Sequence, residues 1–406
     1  MEFFQNPVSF IANLLRELFS GWGLPEIWVT LIMTLLGVLL IATTVLLIDI
    51  LLVWAERKVV ARLQDRLGPN RLGPFGLIQP IADVIKLLIK EDITPDGADR
   101  IVYNLAPIMA LATVLMLWAV IPFGPELIGA DLNVGVLYIV GIGALGTLGI
   151  IMAGWASNNK YALLGAFRQV ATMISFEVPM VIVLLVPVIL ARTMGINGIV
   201  EAQNVWFIVL SPLAALIFFI SAQAELGRAP FDLAEAESEI VAGFHIEYTG
   251  MKFGMFYAGE LLHALTFGAI LSALFLGGWR GPGAEALPML GVFYLFAKAF
   301  LIYFAIMWVK YSMPRIRIDH MLSFTWKFLT PLSLVLVIVT AILSKLLEGI
   351  QQSNPIVWAG SFFVANLILI AITVQVLRRY ARTERIRVAE PRPVARAPEA
   401  PVAETL

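Results

Sequence analysis

Residues 26–54 read "EIWVTLIMTLLGVLLIATTVLLIDILLVW", an apolar run broken only by Glu26 and Asp49. A helix this long with apolar residues on every face has nothing polar to turn toward water, so it must be surrounded by apolar material along its whole length. About 20 such residues cross the hydrocarbon of a bilayer. Eight further runs meet the same test, at 101–122, 134–156, 170–191, 204–226, 256–279, 289–310, 327–347 and 356–378. The 406 residues are 60% hydrophobic and only 14% charged, against roughly 45–50% and 25% in soluble domains. Too few polar groups exist to cover a water-facing surface. The expected fold is all-α: a polytopic membrane bundle of about nine transmembrane helices plus an amphipathic helix on the cytoplasmic side.

The first run exceeds what the bilayer needs, so it is expected to tilt or project, and a shorter amphipathic stretch at 7–20 fits the interface. The acidic N-terminus and the length of the first run argue against a cleavable signal peptide. Three regions result: an N-terminal interfacial segment at 1–25, one membrane-embedded domain at 26–380 with cytoplasmic loops at 55–100 and 227–255, and a tail at 381–406. The tail, rich in Pro, Ala and alternating charge, reads as disordered. Of the 28 Lys and Arg, 23 fall in alternate loops and the tail. By the positive-inside rule the N-terminus lies outside and the C-terminus in the cytoplasm. No internal repeat is apparent, which weighs against a transporter of two inverted halves.

The chain has no cysteine, which rules out disulfides, thiol nucleophiles and thiolate-held iron–sulfur clusters. His245, His263 and His320 show no metal-ligand spacing, and neither a P-loop nor a dinucleotide fingerprint follows a strand. Electrons used in any redox role come from elsewhere.

Three features concentrate charge. The first loop, "ERKVVARLQDRLGPNRLGPFGLIQPIADVIKLLIKED", opens with Glu56, Arg57, Lys58, Arg62, Asp65 and Arg66. Snorkelling to lipid headgroups is one reading of these. Two Gly-Pro pairs then impose a rigid turn. A helix from Pro80 follows, with Asp83, Lys86 and Lys90 on one narrow stripe. It would lie in the interface, able to roof an apolar cavity. Secondly, Asp49, Glu177, Glu225 and Glu260 fall in or beside spans, where a charge costs about 2.5–3.5 kcal/mol on insertion scales. They serve either as interhelical pairs or as proton-carrying groups. Lys298 is a candidate counter-ion, and Asp49 is the weakest functional candidate. Thirdly, "FDLAEAESEIVAGFHIEY" at 231–248 carries Asp232, Glu235, Glu237, Glu239 and Glu247 without a Lys or Arg. Like charges at such spacing destabilise a helix. Physics alone leaves a solvated loop and a functional site both open.

Four stretches in order resemble one family: the first loop above, "GWASNNKYALLGAFRQVATMISFEVPM", "AELGRAPFDLAEAESEIVAGFHIEYTGMKF" and "WVKYSMPRIRIDHMLSFTWKFLTPLSL". Together, across residues 25–345, they resemble the quinone-chamber membrane subunit of respiratory complex I, the H-subunit family of NADH:quinone oxidoreductases. The resemblance implies that Glu56, Arg57, Arg66, Asp83, Arg228 and Asp232 line or flank a quinone tunnel. It implies a proton path through Glu177, Glu225, Glu235, Glu237, Glu239 and Glu260. It further implies an inner-membrane location and a proton-translocating enzyme in which this chain holds no redox centre. Quinone is then the substrate, FMN and iron–sulfur clusters sit in partner subunits, and nucleic acid plays no part. The implied partners are iron–sulfur and quinone-site subunits of the peripheral arm, small membrane subunits and antiporter-like subunits. Alternatives are a related subunit of an energy-converting hydrogenase or another donor module, a stand-alone ion carrier, or a structural anchor. The chain departs from the family at Phe176, where Tyr is usual, at Lys310, where Arg is usual, and at His320, where Gln is common.

Overall fold

The computed structural model describes residues 7–125, 127–233, 240–349 and 354–389, with side chains to 379. Every regular element among them is helical. An amphipathic α1 (Pro7–Gly21) with no buried residue precedes α2 (Glu26–Leu63). At 1.5 Å per residue the 38 residues of α2 extend about 57 Å, nearly twice the hydrocarbon thickness. A helix this long must tilt or extend beyond the bilayer, and Glu56 and Arg57 lie toward its C-terminal end.

The Gly-Pro segment then folds back on α2. Trp54 Nε1 donates to the Phe75 carbonyl at 3.1 Å, and Gly76 adopts φ +78°. A Cβ at Gly76 would lie 2.2 Å from the Pro69 carbonyl oxygen, so only glycine closes this turn. The amphipathic helix follows as α3 (Gln79–Ile89), with proline in its first turn. It packs on α2 and on the helix over Gly250–Phe275.

Eight helices among the described residues are long and apolar enough to cross a membrane. Besides α2 these include α4 (Arg100–Leu117), α5 (Gly135–Ala156) and α6 (Lys160–Ala191). The short α7 (Ile196–Ala202) leads into the fifth expected span. Next come α10 (Gly250–Phe275) and α11 (Pro288–Ser312). The seventh of these eight long helices joins α12 (Ile318–Phe324) to α13 (Thr330–Leu346) through a π-helical turn at Thr325–Leu329. The eighth is α14, Pro355–Ala389. Helix α10 is the centre of the bundle: 83% of its apolar window is buried, against 6% for α2. It contacts α2, α3, α4 and α11.

The fifth expected span, 204–226, is not one helix. It divides into α8 (Phe207–Leu210) and α9 (Pro212–Glu225), separated by Ser211 at φ −138°, ψ 70°. Pro212 supplies no N–H and pushes its predecessor out of the helical region. The 14 residues of α9 reach only about 21 Å. The break is capped from α14, where Asn366 Nδ2 donates to the Leu210 carbonyl at 3.0 Å. The Ser211 hydroxyl donates to Asn366 Oδ1 at 3.2 Å. A second difference lies at the C-terminus, where α14 continues through Ala389, past the expected start of the tail at 381. The run "RRYARTERIRVA" is free of Gly and Pro and rich in helix-forming residues. Residues 390–406 lie outside the described residues.

Candidate functional site

Four elements bring charge to one buried point. Glu56 comes from the C-terminal part of α2, Arg228 from the loop after α9, Glu260 from α10 and Lys310 from α11. Arg228 Nε lies 2.9 Å from Glu260 Oε1, and its Nη2 lies 3.9 Å from Glu56 Oε2. Lys310 Nζ is 3.0 Å from Glu56 and 3.7 Å from Glu260. Two carboxylates thus share two cations, and the set is formally neutral. The hydroxyls of Tyr303 and Tyr311 also donate to Glu56, at 3.2 and 2.5 Å. The Arg228 and Glu56 side chains are 1% and 5% exposed, so this pairing is what makes their burial tolerable. Burial alone would lower the Arg228 pKa. The charges of Glu260 and Glu56 outweigh it and raise the pKa further, so the guanidinium stays charged.

Two cavities meet at this cluster. The larger, about 820 Å³, lies under the folded-back first loop and is lined by Glu56, Arg57, Arg66, Arg71, Tyr257 and Tyr311 among others. The inner one, about 270 Å³, lies between α4, α5, α9 and α10 and is lined by Glu225, Glu260, His245, His263, Gln169 and Lys310 among others. Glu56 and Tyr311 face the first cavity, while Lys310, bound to Glu56, faces the second with Glu260. The ion cluster is therefore part of the wall between them. On the inner side α5 contributes only backbone at Gly143. A Cβ there would stand 3.5 Å from Glu225 Oε1.

Of the expected tunnel residues, Glu56, Arg57 and Arg66 line the larger cavity. Asp83 is an anchor, since Arg57 Nη1 donates to its Oδ2. Arg228 is at the cluster, and Asp232 sits beside Arg315 at 2.9 Å. Of the expected path acids, Glu225 and Glu260 line the inner cavity. Glu177 is half-buried on α6, near enough to Glu225 for their charges to repel. Glu235, Glu237 and Glu239 lie outside the described residues. The fifth acid of that loop, Glu247, belongs to a clamp. Asn159 Nδ2 donates to its carboxylate at 2.6 Å, the Tyr103 hydroxyl donates to its carbonyl at 2.7 Å, and Tyr103 stacks on Tyr248. This clamp and the contact between Gly165 and Gly243, where a Cβ would come within 2.8 Å, seat His245 at the inner cavity.

Among the described residues, Lys298 is not a counter-ion for any membrane acid. Its ammonium donates to the Leu276, Gly278 and Arg280 carbonyls at 2.8–2.9 Å, closing the loop after α10. Asp49, the weakest candidate because it lies under two turns from the charged residues at 56–58, is 5% exposed and feels the charges of Arg228 and Glu56. Phe176 is fully buried against Phe231, with ring centroids 4.9 Å apart. His320 is exposed on α12. Sequence reading missed Tyr257, His263, Tyr303 and Tyr311 as site residues. The signal for the first two was their spacing of three from Glu260, which places all three on one face of α10.

Residues 36–341 match the family model described as NADH dehydrogenase. A protein of Dehalococcoides mccartyi (strain CBDB1), named as the H subunit of NADH-quinone oxidoreductase, is 50% identical over 292 residues, covering 72% of this chain and 81% of that protein. The H subunit of Syntrophobacter fumaroxidans that carries the number 2 is 47% identical over 311 residues, 74% of this chain and 92% of that protein. The H subunit of Brevibacillus brevis is 43% identical over 342 residues, 84% of this chain and 99% of that protein. With its bundle of apolar helices, the chain belongs to the H-subunit family of NADH-quinone oxidoreductase and is a membrane subunit of complex I.

Proposed function

We propose that the larger cavity receives quinone and that the buried charges carry the consequence of its reduction into the membrane. The supporting observation is the shared pairing of Glu56 and Glu260 with Arg228 and Lys310 in the wall between the two cavities. Changing the charge of one carboxylate changes what both cations can offer the other. Two charges 4 Å apart interact by about 4 kcal/mol at an effective dielectric constant of 20. A group on the inner side can therefore respond to events on the outer side without any large movement.

Electrons arrive from the iron–sulfur subunit of the peripheral arm, fed by FMN and NADH in further partners, and this chain supplies no redox centre. Reduction adds negative charge among Arg57, Arg66 and Arg71. Arg228 and Lys310 redistribute between Glu56 and Glu260, and Glu225 and Glu177 pass protons toward small membrane and antiporter-like subunits. Glu235, Glu237 and Glu239 feed the path from the cytoplasm, with Asp83 and Asp232 holding Arg57 and Arg315. The complex resides in the cell membrane with this chain's N-terminus outside and its C-terminus in the cytoplasm.

The test is the ratio of protons translocated to quinone reduced, measured in membrane vesicles carrying the whole complex with E225Q, E260Q or the pair E235Q and E237Q. Each is expected to lower the ratio. A parental ratio in all three, with normal assembly, removes the carboxylate path.

A further inference from the structure

Tyr257 is the one residue that lines both cavities among those lining either. It stands on α10 one turn before Glu260, and it is 38% exposed although its neighbours Phe256 and Gly259 are buried. Charged groups face it from three elements: Glu56 and Arg57 on α2, Arg228 on the loop after α9 and Glu260 on its own helix. The other phenols at the cluster, Tyr303 and Tyr311, are both bonded to Glu56. The remaining contacts through the wall run between carboxylate and cation. Lys310 bridges the two sides with Glu56 and Glu260 both bound to it. An ammonium held between two carboxylates that passes its proton beyond them leaves both anions undercompensated in a buried site.

A phenol has no such constraint. Its oxygen has lone pairs that accept and a hydrogen that donates. A proton can form a new bond to Oη from one side as the original O–H proton departs to an acceptor on the other. One O–H bond forms, one breaks, and the side chain is neutral before and after. Rotation about the C–O bond resets it.

We propose that Tyr257 is the proton-carrying residue between the outer and inner cavities, passing protons through the wall while the ion cluster senses charge. This rests on the coupling role proposed above and names the residue that would bridge its two halves.

The experiment is Y257F in the intact complex in membrane vesicles, with protons translocated per quinone reduced as the readout and E225Q measured in parallel. The variant removes a single oxygen and keeps the ring. The expected result is loss of most of the ratio, because the hydroxyl that passes the proton is gone while the ring remains. A parental ratio for Y257F beside a lowered one for E225Q overturns the role of Tyr257 and leaves the carboxylate path standing. Parental ratios for both overturn the path and this inference with it. Equal loss of quinone reduction and proton movement, leaving the ratio intact, also overturns it, because the phenol then serves only the outer cavity. Should Y257F fail to assemble, a ring-fluorinated tyrosine at 257, close in size and more acidic, takes its place. A shifted pH profile of proton translocation supports the proposal, and an unshifted one overturns it.

Discussion

Removing the Arg228 guanidinium would leave Glu56 and Glu260 facing one another with only Lys310 between them. Breaking a buried pair from one side costs about 3–5 kcal/mol, so R228M is expected to lower the yield of assembled complex sharply. R228K is expected to rescue it only in part, since a point ammonium does not offer the separate Nε and Nη2 donors that face Glu260 and Glu56. Native gel electrophoresis of solubilised membranes reads both. His245 makes a prediction about pH. Burial lowers its pKa below the ordinary value of 6.5, partly offset by the charges of Glu260 and Asp232. A histidine held neutral by the fold contributes fully above pH 6.5, and that contribution is lost as pH falls through the depressed value. Hydrogen exchange across residues 240–249 should therefore quicken between pH 7.5 and pH 5, and H245Q should remove that dependence. A wild-type rate indifferent to pH, once intrinsic exchange is corrected for, would contradict the assignment.

Among the elements, the division of the fifth span is the one that hydropathy concealed. A sliding apolar window registers Phe207 to Glu225 as continuous because side chains set its value, whereas Pro212 acts on the backbone. The Ser-Pro pair at 211–212 was the legible sign. What it could not reveal was the partner, since Asn366 lies 156 residues from Leu210. N366L is expected to strand the Leu210 carbonyl at a cost of about 1–3 kcal/mol, measurable as a lower midpoint of thermal unfolding in detergent. The same division of what could be read applies to the site. The acids in spans stood out because charge is costly there, and Tyr303, Lys310 and Tyr311 form a stripe at helical spacing on α11. Their convergence on Glu56 depends on how α2 and α11 cross, which periodicity within either helix does not encode. Lys298 was misassigned for a related reason. A cation in a span calls for compensation, but backbone carbonyls supply it as well as carboxylates do.

For the molecule as a whole, the sidedness drawn from its basic loops can be tested cleanly because the chain has no cysteine. Glu285 lies exposed in the loop between α10 and α11, and Asp96 lies exposed in the loop before α4. In right-side-out vesicles a membrane-impermeant maleimide should label E285C in intact vesicles and D96C only after they are opened. The reverse pattern would invert the topology and place the larger cavity on the face opposite the one proposed.

The clip between Asn366 and the Leu210 carbonyl also bears on how the chain is made. At about 5–20 residues per second, the 156 residues separating them take roughly 8–30 s to synthesise. Throughout that interval the break between α8 and α9 is already emerging from the ribosome, while the side chain that closes it has not been translated. The fifth crossing is therefore completed by the last one, and a nascent chain arrested before residue 366 would present an open backbone joint to the insertion machinery.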